Sequence, residues 1–202
     1  MTNAVCNSYN KSWVVITQCR LKALQRNKTI LNVDMDFIHP VNDIDNGASI
    51  KMTNAVCISY NKSWVIMNQC RLKAVQRNRT ILNIDVDVLH PVNMVDVRVQ
   101  IQKKGNGYKP WLIDVSFDAC KYLRKPNNPA IKMIYGFFKE FSTINHTCPY
   151  EGHQRLRDFY PIIEKLPNQF PTGDYLLILT FIFSKQRTAE IKIYFSFIED
   201  LI

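Results

Sequence analysis

Apolar and polar side chains alternate with a period of two along much of the chain after residue 80, the pattern of strands buried on one face. Leu82, Ile84, Val86 and Val88 share one face, while Asn83, Asp85 and Asp87 share the other. Val95, Val97, Val99 and Ile101 alternate with Asp96, Arg98, Gln100 and Gln102. Gly105-Asn106-Gly107 then predicts a hairpin turn, from which Ile113, Val115, Phe117 and Ala119 return in alternation with Asp114, Ser116 and Asp118. Two further strands, 175–184 and 189–198, close the chain, the last with Ile191, Ile193, Phe195 and Phe197 on one face. Upstream, 53–60 and 64–74 read as a hairpin. One helix is predicted over 129–142, with Asn128 as N-cap, Pro129 in its first position, and Ile131, Ile134, Phe138 and Phe141 spaced along one buried face. About seven strands in hairpin order and one short helix predict a mainly β fold, an antiparallel immunoglobulin-like β-sandwich.

The first quarter of the chain is written twice. Residues 1–42 recur at 52–93 with 32 of 42 positions identical, and the exchanges are mostly conservative: Val15 to Ile66, Leu24 to Val75, Lys28 to Arg79, Met35 to Val86. Two copies cannot stack a continuous core, so the chain is no solenoid. The expected organisation is a partial tandem copy of the N-terminal strands at 1–42, a linker at 43–51 (DIDNGASIK), and the sandwich domain at 52–202. A full set of strands in 52–202 makes the first copy surplus; it must add to an edge, swap in for its twin, or hang loose. Met1 aligns with Met52, an interior position of the second copy, which leads us to expect a truncated or fused reading frame with a leader upstream of Met1.

Composition narrows the class. The 202 residues, 47% hydrophobic and 21% charged with 6 Gly and 9 Pro, exclude collagen-like and strongly disordered chains. The longest apolar run, Tyr175 to Phe183, is half of what a membrane-spanning helix needs, so no span is expected. The net charge of +9 comes from scattered Lys and Arg with no basic block, a solvated surface and not a nucleic-acid footprint. Six cysteines at 6, 19, 57, 70, 120 and 148 include no C-x-x-C pair, which favours disulfides over zinc. Beside them stand N-x-[ST] sequons at Asn10, Asn27, Asn61, Asn78 and Asn145. Cysteines and sequons together predict a secreted, glycosylated protein, although MTNAVCNSYNKSWVVITQ contains no apolar signal segment.

From Lys51 onward the motifs KMTNAVCISYNKSW, QCRLKAVQRNRT, NGYKPWLIDVSFDACKYL, Asn145-His146-Thr147-Cys148-Pro149-Tyr150 and Pro171-Thr172-Gly173-Asp174-Tyr175 fall in order. Over about three quarters of its length the chain resembles an insect-restricted, fly-expanded family of small secreted domains of unknown function related to the chemosensory CheB proteins. That family is in turn similar to the ML group, lipid-recognition β-sandwiches related to myeloid differentiation factor 2. The resemblance implies bonds Cys57–Cys70 and Cys120–Cys148, and the repeat extends the first to Cys6–Cys19. Departures from the family pattern are the additional N-terminal copy and the absent signal segment.

A lipid-recognition sandwich works by splaying its sheets so that their apolar faces line a cavity. Candidate lining residues are Val97, Val99, Ile113, Val115, Phe117, Phe138, Phe181, Phe183, Ile193 and Phe195, the same side chains that would fill an ordinary core. Asp85, Asp87 and His90, mirrored by Asp34, Asp36 and His39, read as outward residues of a strand that His90-Pro91 ends, and no further ligand at a telling spacing makes them a metal site. His146 and His153 flank Cys148 with no nucleophile motif beside them. Asn145 would put a glycan on an exposed loop, and Trp111 caps the core or stands at the cavity mouth. The expectation is a secreted binding protein for a hydrophobic small molecule, a lipid or hydrocarbon, in a chemosensory setting and with a membrane receptor among its conceivable partners; no enzyme activity, cofactor or nucleic acid is expected. The alternative is an extracellular interaction module without a cavity, or a fused reading frame with no defined role.

Overall fold

The computed structural model describes residues 6, 14–25, 28–37, 48–76, 79–163 and 170–199. The chain divides into two units, Met1–Asn46 and Gly47–Ile202.

In the first unit β1 (Val14–Gln25) and β2 (Lys28–Phe37) form an antiparallel hairpin. Its register runs from Val14↔Phe37 to Gln25↔Lys28, with irregularities between Ile16 and Gln18 and between Ala23 and Gln25. The second unit repeats this to the residue in β4 (Val65–Gln76) and β5 (Arg79–Val92): Val65 faces Val88, Gln76 faces Arg79, and the irregularities fall between Met67 and Gln69 and between Ala74 and Gln76. Duplicated sequence has produced duplicated strand pairing, because register in a hairpin is set by the turn and the apolar alternation, and both were copied.

The second unit is mainly β. Its remaining strands are β3 (Ala48–Ser59), β6 (Val95–Gly105), β7 (Gly107–Asp118), β8 (Tyr150–Phe159), β9 (Gly173–Phe183) and β10 (Gln186–Glu199). They form two antiparallel sheets, one ordered β3-β10-β9-β6-β7 and the other β4-β5-β8. The inward faces of both are apolar: Met52, Ile101, Ile191, Ile193 and Phe195 from the larger sheet and Leu82, Ile84 and Phe159 from the smaller one belong to a single buried cluster. Two layers facing each other across such a core make a β-sandwich. The hairpin at Gly105-Asn106-Gly107 is present, with Gly105 opposite Gly107 and Gly107 at a φ of 85°, a conformation that favours glycine.

Two short helices lie between β7 and β8. In α1 (Ala119–Arg124) the Asp118 side chain accepts from the Lys121 backbone N–H at 2.9 Å. In α2 (Pro129–Phe138) the Asn128 side chain accepts from the Ile131 N–H at 3.2 Å, the cap that the sequence predicts. The expected helix over 129–142 stops at Phe138, and one 3-10 turn, Lys139–Phe141, follows.

Three further expectations are corrected, and two elements lie outside the pattern read from the sequence. Residues 53–60 and 64–74 form no hairpin: β3 pairs with β10, β4 pairs with β5, and the two strands stand in opposite sheets. The turn between them carries the chain across the sandwich, held by the Tyr60 N–H on the Thr188 carbonyl (2.8 Å) and the Val65 N–H on the Asn61 carbonyl (3.0 Å). His90-Pro91 does not end its strand, because β5 continues to Val92 opposite Tyr150 past an irregularity, where a proline needs to donate no ladder bond. Ala48–Lys51 of the expected linker are the first residues of β3, paired with Ser196–Glu199 of β10. Strand β8 and helix α1 were not predicted at all; β8 (YEGHQRLRDF) is too polar to show alternation.

Candidate functional site

Between the sheets lies a cavity of about 300 Å³. The larger sheet supplies Val97, Val99, Ile113, Phe117, Phe181, Phe183, Ile193 and Phe195 to its wall; the smaller supplies Val65, Met67, Ile84, Val86 and Val88. Helix α2 covers it with Ile131, Ile134, Phe137 and Phe138, and Tyr122 and Leu123 of α1 complete that side. Of the residues that the sequence singles out, Val115 is absent from the wall; it packs partly buried against the Val97 and Val99 cluster. The remaining nine candidates reach the cavity because each lies on the inward face of its strand or helix.

The surface that the wall presents to the cavity is almost wholly apolar. The residues there that carry polar side chains are Tyr122, Tyr135, Ser142, Tyr150, Gln154 and Arg155. The Tyr135 hydroxyl donates to the Ile144 carbonyl at 2.9 Å, the Tyr150 hydroxyl donates to the His146 carbonyl, the Ser142 hydroxyl accepts from the Ile144 N–H at 3.0 Å, and Gln154 accepts from the Thr143 hydroxyl at 3.1 Å. Burial pushes the Tyr150 phenol up to about 12, with the neighbouring Tyr135 acting in the same direction. Such a space can hold an apolar molecule and penalises a polar one, since an unpaired polar group loses its hydration there.

Sequence reasoning missed the wall contributed by β3, β4, β8 and α1. The apolar face of 82–88 was legible; that it closes the same cavity as 95–101 depends on which sheets oppose one another.

Three disulfides are present. Cys6–Cys19 lies in the first unit, Cys57–Cys70 joins β3 of one sheet to β4 of the other, and Cys120–Cys148 ties the start of α1 to the segment before β8. They are the pairs that the resemblance and the repeat imply. Among the described residues no helix is long and apolar enough to cross a membrane.

The other candidates fall elsewhere. Asp85 and Asp87 point away from the cavity, and His153 of β8 lies between them, with Nε2 2.7 Å from Asp85 Oδ1 and Nδ1 2.8 Å from Asp87 Oδ1. Hydrogen bonds from Asn68 and His153 hold the Asp87 carboxyl below its ordinary value. His90 takes no part and packs edge-on against Trp64 with ring centroids 5.2 Å apart. Asp34 and Asp36 lie on β2, and His39 falls outside the described residues. Trp111 does not line the cavity; it packs against Phe170 and Tyr175 with centroids at 4.9 and 5.1 Å. Asn145 is exposed in the loop before Cys148, and Asn61 sits in the β3–β4 turn, where its Oδ1 accepts from the Ser63 N–H and hydroxyl. The sequons at Asn10, Asn27 and Asn78 lie outside the described residues.

The stretch that carries β6, β7, both helices, β8 and the start of β9 has relatives. Residues 97–177 match a family model, DUF1091, described as a protein of unknown function. No curated protein matches the chain. The matched stretch supplies Val97, Val99, Ile113, Phe117 and Phe138 to the cavity, whereas both copies of the repeat, 1–42 and 52–93, lie outside it.

Proposed function

We propose that the protein is a secreted carrier that encloses a hydrophobic small molecule, a lipid or a hydrocarbon, between its two sheets. The observation that carries this reading is the apolar cavity of about 300 Å³ where an ordinary sandwich would have interdigitated side chains. An empty apolar space of that size forgoes the dispersion contacts that its wall could make, and an apolar guest restores them. Each Å² of guest surface taken from water adds about 25 cal/mol of driving force. Three disulfides suit an oxidising compartment and support secretion.

The test is native mass spectrometry of the full chain secreted from insect cells, beside a denatured control. The expected result is an adduct of a few hundred daltons that denaturation releases. In Val97→Phe, which places a ring in the cavity from β6, a strand flanked by β9 and β7, the adduct is expected to disappear while the three disulfides and the far-ultraviolet spectrum are retained. A bare protein mass, unchanged after incubation with lipids and hydrocarbons, would overturn the reading.

A further inference from the structure

The two copies of the repeat differ at ten of 42 positions, and the cavity sorts those differences. Among the described residues, Met52, Val65, Met67, Ile84, Val86 and Val88 of the second copy line the cavity. Four of these six differ from their counterparts: Met67 stands against Ile16, Ile84 against Val33, Val86 against Met35, and Val88 against Phe37. Burial alone does not explain the pattern. Ile81, Leu82 and Val92 are as buried, with Leu82 at 0% exposure, yet lie away from the cavity and match Ile30, Leu31 and Val41 exactly in kind. Most of the remaining differences, such as those at Ile66, Val75 and Leu89, fall on exposed side chains, where exchanges cost little.

We infer that Met67, Ile84, Val86 and Val88 set which apolar molecule the cavity accepts, and that the hairpin β1–β2 carries a second version of the same wall. This rests on the carrier reading above. A close-packed side chain is constrained by the neighbours it touches, so Leu82 cannot change without strain or a void. A side chain facing the cavity is constrained on that side only by the guest, so exchanging it reshapes the space and leaves the packing behind it in place. The four positions lie on the two neighbouring strands β4 and β5, and Met67 is paired directly with Val86. They therefore form one continuous patch. Writing the first copy's residues into that patch makes the cavity smaller, because the ring of a phenylalanine at position 88 outweighs the methylene lost at position 84.

The experiment compares the full chain with the full chain carrying Met67→Ile, Ile84→Val, Val86→Met and Val88→Phe together. Displacement of bound Nile red by a series of straight-chain alcohols of increasing length reads the preference. A second variant, Ile66→Val with Val75→Leu and Arg79→Lys, exchanges differences outside the cavity wall. The fourfold variant is expected to prefer shorter chains, with its affinity for the longest alcohol that the unmodified protein accepts falling about tenfold or more. The second variant keeps the original order. An unchanged order in a folded fourfold variant would sink the inference and leave the carrier reading standing. Failure of the unmodified protein to bind Nile red or any alcohol would remove both. Should the fourfold variant not fold, Val88→Phe alone decides by the same shift; if that also fails to fold while the second variant folds, these positions are packed structure and the inference is wrong.

Discussion

Glu190 shows how one residue can be costly and useful together. It lies on β10 at 2% exposure, with Arg187, Lys192 (3.1 Å), the Tyr60 hydroxyl (3.2 Å) and the Thr180 hydroxyl (3.3 Å) around its carboxylate. Burial opposes the charge, and hydrogen bonds from Lys192 and Arg187 more than offset it, so the group titrates below its ordinary 4.5. A depressed folded value stabilises the protein above the unfolded value, and that stability is lost as the pH falls through the folded one. Glu190→Gln is expected to cost about 1–3 kcal/mol in urea melts at neutral pH. The difference from the unmodified protein should shrink once the pH falls below 4.5. Tyr150 has the opposite sign. Its folded value of about 12 lies above the ordinary 10.0, so its contribution is complete below pH 10.0 and disappears as the pH rises through 12. In a spectrophotometric titration of the nine tyrosines, Tyr150→Phe is expected to remove a step at the alkaline end.

At the scale of elements, what decides the fold is the connection between β3 and β4. The segments 53–60 and 64–74 look like hairpin arms because a short polar turn, Asn61-Lys62-Ser63, joins two runs that contain β formers. Nothing local distinguishes a turn that folds a strand back on itself from one that sends it to the opposite sheet. Cys57–Cys70 makes the difference covalent, tying one sheet to the other across a sequence separation of 13. Replacing both with alanine is expected to lower stability by about 2–5 kcal/mol in denaturant titrations and to weaken Nile red binding, because the bond holds the two cavity walls at their spacing. Helix α2 was readable because Asn128 and Pro129 mark its start by chemistry that acts within one turn. Strand β8 was not: Tyr150, Leu156 and Phe159 are its only large apolar side chains, and it is a strand because β5 offers it an edge.

At the scale of the molecule, cavity and stability are linked by mass action. A guest that binds only the folded state raises its stability, by about 2.7 kcal/mol at a hundredfold excess over Kd. Calorimetry of the unmodified protein with a saturating straight-chain alcohol is therefore expected to show a Tm increase of several degrees, and Val97→Phe should melt at the same temperature with and without the alcohol. An increase of equal size in Val97→Phe would mean that the alcohol acts outside the cavity.

By itself the sequence determined the strands that alternate, the hairpin at Gly105-Asn106-Gly107, the start of α2 and the existence of a repeat whose two copies share one register. These depend on neighbours a few residues apart, on backbone preferences and side-chain period, and so they are written locally. Tertiary structure decided which strands oppose one another, that Val115 packs beside the cavity while Phe117 lines it, that His153 and not His90 meets Asp85 and Asp87, and that apolar faces enclose a space instead of filling it. The same valines and phenylalanines make a core or a cavity wall according to how far apart their sheets stand. That separation is a sum over many distant contacts, and no short stretch of sequence contains it.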